Sequence, residues 1–373
     1  TAQVVFHSCR VFSKLVDDPS VCTSLSQDSF VPTCLLTALR HHPTHLPLVV
    51  RAAYALGSLL EVSPDLAATL ATKYDALNIV AGSSGVFPRL VQGLIDKPSP
   101  ERGGATADDV QAHRIPDQED AVIKVTRVVA NLCVCPSVAV AAVSSDVPDL
   151  MLQLLTGCDL AFQQELALNV LAATTNMAFD ASHPGRLADT EQWVLALAPL
   201  AFHGNPEVVH EALRLLANIA RLEQPRNAIV ALSLVGAAVA LLEHPEPAVV
   251  AAALGLLVNM AAADEGREAA LKEDVFARLL CVLDAAGGDF FHLSVLVCQV
   301  FVNLCRGEHT TQISTAWVTS LEALRMHGKG AGIDRPCFVG LCRLSRVQER
   351  SCVSWTRPTV SHYRGDSHRH AMI

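Results

Sequence analysis

Residues 123–138 read IKVTRVVANLCVCPSV, where Cys133 and Cys135 form a C-x-C-P run at the end of an apolar helical pattern. A reactive thiol needs a partly exposed, electropositive setting, and a zinc site needs paired Cys or His ligands that converge. The twelve cysteines (9, 22, 34, 133, 135, 158, 281, 298, 305, 337, 342 and 352) contain no C-x-x-C pair and sit mostly in apolar helical runs. That pattern predicts reduced, buried thiols and no disulfide framework. Other candidate chemistry fails on spacing. His210-Glu211 starts like H-E-x-x-H, but Arg214 stands where the second His belongs. RMHGKGAG (325–332) lacks the frame of a phosphate loop, and AGSSGV (81–86) is no nucleophile elbow. His41, His42 and His45, even with Cys34 near, lie in the Pro-broken run HHPTH, which predicts a solvated turn. His362, His368 and His370 fall in an aperiodic tail. We expect no catalytic, cofactor-binding or metal site, and no enzyme.

The elements around these residues repeat. ANLCVC, with Asn131, aligns with TTNMAF (Asn176), LANIAR (Asn218), LVNMAA (Asn259) and FVNLCR (Asn303), at steps of 45, 42, 41 and 44 residues. Ser58 in YALGSLLE and Lys14 in RVFSKLVD hold the same frame upstream. Apolar residues recur six, three and two places before the Asn and one after, as in Val125, Val128, Val129 and Leu132, which is a helical stripe. Small or β-branched residues precede each Asn (Ala130, Thr175, Ala217, Val258, Val302) and let helices approach closely. GNPEVVHEAL places Asn205 as a helix cap with Pro206 at the first helical position. A period near 40 residues is the mark of an armadillo or HEAT array, whose units bury their faces only by stacking.

The step from Ser58 to Asn131 is 73 residues; removing the Pro- and Gly-containing segment 96–119 leaves 49, so that segment reads as a flexible insertion. The predicted organisation is an array over 1–312 with its first repeat truncated, a capping helix over 313–327 and a basic, disordered tail over 328–373. Of 373 residues, 51% are hydrophobic and 5% aromatic, which suits helices packed on helices and not a β-sandwich. Residues 321–373 carry nine Lys/Arg and four Asp/Glu, a charge of +5; the overall −9 then leaves −14 on residues 1–320, unsuited to wrapping nucleic acid. No run approaches the roughly 20 apolar residues of a membrane span, and TAQVVFHSCR lacks a signal-peptide layout.

An Asn followed by Leu, Met or Ile late in each third helix is typical of armadillo repeats. More narrowly, RVFSKL, LVVRAAYALGSLLE, EDAVIKVTRVVANLCVCPSVAVAA, ELALNVLAATTNMAFD, GLLVNMAAADEGREAALKE and LSVLVCQVFVNLCR occur in order over about residues 3–310. They resemble the armadillo repeat-containing protein 2 family of cilia and flagella. The resemblance implies an all-α, right-handed superhelical solenoid of about six to seven three-helix repeats. It also implies a monomeric adaptor in the cytoplasm and cilium that carries axonemal cargo, radial spokes in particular, in intraflagellar transport. Two alternatives stay open: a catenin-like scaffold, and a stationary axonemal component.

In armadillo folds the third helices line a groove in which Asn side chains clamp an extended partner's main chain. Asn131, Asn176, Asn218, Asn259 and Asn303 match that ladder. An Asn there can equally satisfy neighbouring backbone or cap its own helix. Import receptors for basic signals carry Trp four residues before the Asn; here Arg127, Ala172, Arg214, Gly255 and Gln299 stand there. Lys124, Arg127, Arg214, Arg221 and Arg306 lie on the same face, and we expect them to favour acidic protein segments.

Overall fold

The computed structural model describes residues 2–95, 116–158, 163–180, 182–187, 191–286 and 291–304. Among these there are helices and no strand. Contacts divide the chain into two compact units, one ending at Arg186 and the other starting at Leu187.

The first unit opens with Ala2–Leu15 and continues in three layers. They are Pro19–Ser26, Phe30–His41 and Leu46–Val62; then Pro64–Tyr74, Ala76–Ala81 with Val86–Ile95, and Pro116–Leu132; then Pro136–Val143, Val147–Gly157 and Gln164–Met177. The second unit holds Gln192–Leu197 with the 3-10 turn Pro199–Phe202, then Pro206–Ile219. Two layers follow: Glu223–Ala231, Leu234–Ala240 and Pro247–Ala261; then Asp264–Lys272, Val275–Ala286 and Phe291–Leu304. The last helix of each layer, here the third helix, carries the residue of the 41–45-residue frame.

Local sequence sets where these helices begin. Proline occupies the first helical position at Pro19, Pro64, Pro136, Pro206 and Pro247, where its missing N–H has no intrahelical partner to lose. Asp18 Oδ1 accepts from Ser20 N and Val21 N at 2.9 and 3.1 Å, and Asn205 Oδ1 accepts from Glu207 N at 2.9 Å, as the Asn-Pro signal predicts.

Third helices form the interior of each stack. Every residue from Leu166 to Met177, and from Val249 to Ala261, is buried, the condition that an all-round apolar helix requires. In the first unit Ala2–Leu15 packs on Leu46–Val62, which packs on Pro116–Leu132, which packs on Gln164–Met177. In the second, Pro206–Ile219 packs on Pro247–Ala261 and that helix on Phe291–Leu304.

One boundary differs from expectation. The helix bearing Asn131 starts at Pro116, so residues 116–119, read from sequence as loop, are its first turn. Acidic residues at 119 and 120 suit the first turn of a helix. Gln118 Nε2 donates to Leu90 O at 3.3 Å and ties that turn to the preceding helix. Residues 96–115, the expected capping helix at 313–327 and the tail at 328–373 lie outside the described residues. Among the described residues no single helix is long and apolar enough to cross a membrane.

Candidate functional site

The repeating asparagines do the same thing in both units. Asn131 Nδ2 donates to Gly57 O at 2.9 Å and Asn176 Nδ2 to Ala130 O at 3.1 Å. Asn259 Nδ2 donates to Ala217 O at 2.6 Å and Asn303 Nδ2 to Val258 O at 2.9 Å. Each acceptor is the residue just before the frame position of the preceding layer (Ser58, Asn131, Asn218, Asn259). Ala130, Ala217 and Val258 lie in the last turn of their helices, where a carbonyl has no amide four residues on. A buried carbonyl of that kind costs about 1–3 kcal/mol if left unsatisfied, and the amide of the next layer supplies its donor. Asn131, Asn176, Asn218, Asn259 and Asn303 are all buried, at 0–2% exposure. The arrangement present thus includes an inter-layer bond to backbone, one of the two roles that this spacing allows.

Three of the cations beside the ladder, Lys124, Arg127 and Arg214, are matched by carboxylates. Lys124 Nζ lies 2.8 Å from Glu165 Oε1, in the next third helix, and 3.4 Å from Asp120 Oδ1 in its own. Arg127, buried, pairs with Glu61 of the preceding layer, and its stem lies over Gly57. Tyr54 Oη donates to Asp17 Oδ1 at 2.5 Å. Both of these contacts run from four places before one frame position to three places after the previous one. In the second unit Arg214 Nη1 donates to both oxygens of Glu211, at 2.9 and 2.8 Å, within its own helix, and both residues are buried. Arg221 Nε donates to Asn218 O at 3.0 Å. Arg306 lies outside the described residues. Among the described residues, three of these cations thus carry a carboxylate partner and Arg221 a backbone one. Sequence reading missed Asp17, Glu61, Asp120, Glu165 and Glu211. Their signal was available in the frame, since Asp17 and Glu61 share one register and Asp120 and Glu165 another.

The C-x-C-P run is scaffold. Cys133 is buried in the core, and that burial, with Cys135 beside it as a smaller cause, pushes its thiol up to about 12. Cys135 precedes the helix Pro136–Val143, with its Sγ 3.3 Å from Ser137 Oγ. In the HHPTH run, His45 Nδ1 accepts from Leu48 N at 3.2 Å and caps the helix Leu46–Val62. His210 Nδ1 stands 3.7 Å from Glu211 Oε1, beside the Arg214 pair.

Three-helix layers stacked through a buried Asn ladder define this chain as an all-helical armadillo-repeat protein. Over 236 residues, 63% of the chain, it is 25% identical to "Armadillo repeat-containing protein 2" of Bos taurus, and over 237 residues 26% identical to the Homo sapiens protein of the same name. The matched region is 27% of the length of each, so the chain spans about a quarter of those relatives. No family model matches the chain. Among solved structures, a designed armadillo repeat protein in complex with peptide (KR)4 is 16% identical with TM-score 0.49, over 70% of this chain and 98% of that one. An engineered protein is 19% identical with TM-score 0.47, over 92% of this chain and 95% of the other.

Proposed function

We propose that this chain is a non-catalytic adaptor that binds extended protein segments along the third-helix faces of its two units. The observation that carries the reading is the ladder: within each unit an Asn side chain of one layer bonds the backbone of the third helix before it. A regular row of helices offers a partner the same register several times over. In this reading Asn131, Asn176, Asn218, Asn259 and Asn303 hold the row. Lys124, Arg127, Arg214, Arg221 and Arg306, with the carboxylates that pair the first three, set charge complementarity.

The likeness to Armadillo repeat-containing protein 2 extends the proposal to a place of action. The chain acts in the cytoplasm and cilium or flagellum, as an adaptor that carries preassembled axonemal cargo such as radial spokes in intraflagellar transport. Support comes from the similarity over 63% of the chain. Imaging the tagged protein in ciliated cells tests this. An adaptor moves along the axoneme and is released by detergent. Retention after extraction would favour a stationary axonemal part, and exclusion from the cilium a catenin-like scaffold; either result overturns the adaptor role.

A further inference from the structure

The third-helix face of the first unit is uneven in charge. Seven and four places before the frame position it carries His7 and Arg10, then Arg51 and Tyr54, then Lys124 and Arg127, then Asn169 and Ala172. Lys124 and Arg127 are covered and paired, with side chains 14% and 4% exposed. Arg10 and Arg51 are exposed, and among the described residues neither side chain meets a carboxylate. Lys14, at the frame position of Ala2–Leu15, is 72% exposed, with its Nζ 3.6 Å from Asp17 Oδ2.

The carboxylates of this face are engaged elsewhere. Asp17 accepts from Tyr54 Oη through its other oxygen, and Glu61 is held by Arg127. Asp120 stands eleven places before its frame position, the register from which Glu165 meets Lys124. It lies 3.4 Å from Lys124 and leaves Arg51 bare, although third helices pack on both sides of the Arg51 helix. The stem of Arg127 lies over Gly57, three registers further on in the preceding layer. The same offset sets Arg51 beside Arg10, with Lys14 one turn along from Arg10. Packed helices lie about 8–10 Å apart and one turn rises about 5.4 Å, so three cations share a small area with one carboxylate among them.

We propose that Arg10, Lys14 and Arg51 form a docking site for an acidic, extended segment of a partner protein, with Asp or Glu at alternate positions. The proposal rests on the adaptor reading and puts its acidic contact at residues outside the Asn-flanking set. An extended chain advances about 3.3 Å per residue, so alternate side chains share one face about 7 Å apart, a spacing these cations match. Carboxylates there relieve the repulsion between neighbouring like charges and pair with guanidinium forks. The chain's own residues 321–373 carry +5, the same sign as the site, and are no match for it. The −14 on residues 1–320 opposes a long polyanion such as nucleic acid, whereas a short acidic segment meets only the local strip.

Fluorescence anisotropy tests the site, with a labelled peptide of about nine residues bearing Glu at alternate positions, titrated with the 373-residue chain. This peptide should bind about ten-fold or more tightly than its Gln counterpart at low salt, and the gap should close in about 1 M salt. Arg10→Gln with Arg51→Gln should abolish the gap at an unchanged thermal midpoint, since both side chains are exposed. Should the double variant fail to fold, either single substitution should narrow the gap. Lys73→Gln with Arg89→Gln, exposed cations of a first and a second helix, should leave the gap as it is. Equal binding of the two peptides overturns the proposal, as does an equal loss in the Lys73 and Arg89 variant. Tighter binding of a single-stranded oligonucleotide of the same charge also overturns it. A Glu preference that survives in the Arg10 and Arg51 variant overturns this site alone, and leaves the adaptor reading to the imaging test.

Discussion

Each unit repeats the same Asn-to-carbonyl bond, and the two differ in what surrounds it. In the first, ionic contacts cross from layer to layer: Arg127 to Glu61, and Lys124 to Glu165. In the second, the Arg214–Glu211 pair stays within one helix, and the next third helix has Ala252 and Gly255 at the corresponding registers. There, close packing of small residues takes the place of charge. The Asn-to-carbonyl bonds persist through both environments, at 2.6–3.1 Å. The bond that recurs is thus the one that satisfies backbone, while the flanking side chains are free to vary. This difference suggests that the first unit responds to charge changes and the second to volume changes.

The largest effect in that comparison is expected at the buried Arg127. Arg127→Ala removes the cross-layer pair and the stem over Gly57, and should cost about 2–3 kcal/mol in a denaturant titration. Ala252→Leu, which overfills a fully buried position in the second unit, should cost about 1–3 kcal/mol with no change in salt dependence. Lys124→Ala should cost about 0.5–1 kcal/mol at low salt, and less in 1 M salt, because its carboxylate partners are partly exposed and screened. If Lys124→Ala and Ala252→Leu show the same salt dependence, the contrast between the units fails.

A smaller, pH-linked effect belongs to Cys133. Its folded-state thiol titrates near 12 and an ordinary one near 9, so between these values the unfolded chain holds fewer protons than the folded one. Stability should fall as pH rises through that window. The fall should be shallower in Cys133→Ala, measured as thermal midpoint against pH. At neutral pH a maleimide should label the exposed Cys34 and Cys281 and leave Cys133 unlabelled until the protein unfolds.

Much of this architecture was legible before any coordinates. The 41–45-residue frame located every ladder Asn, because a helix covered on all sides must be apolar around a fixed polar position. Asn205-Pro206 gave a helix start for the same reason, since a cap acts locally. The destination of each Asn amide was not legible: a residue that can clamp a partner or satisfy a carbonyl has the same spacing in either role. The cross-layer pairs, Arg127–Glu61 and Lys124–Glu165, were missed because they join residues of different layers. Glu61 and Arg127 are 66 residues apart, and only superposing two frames brings them together. The start of the Asn131 helix at Pro116 was hidden by the low hydrophobicity of a polar first turn.

The ladder asparagines bind neighbouring backbone and thereby hold the layers of each unit at fixed spacing. Equilibrium unfolding of Asn176→Leu and Asn259→Leu, whose amides reach the last-turn carbonyls of Ala130 and Ala217, tests it most directly, one in each unit. We predict a loss of about 1–3 kcal/mol in both, as expected when a buried carbonyl loses its donor. Unchanged stability in both variants would contradict the claim, and would return these asparagines to the role of a main-chain clamp for a partner.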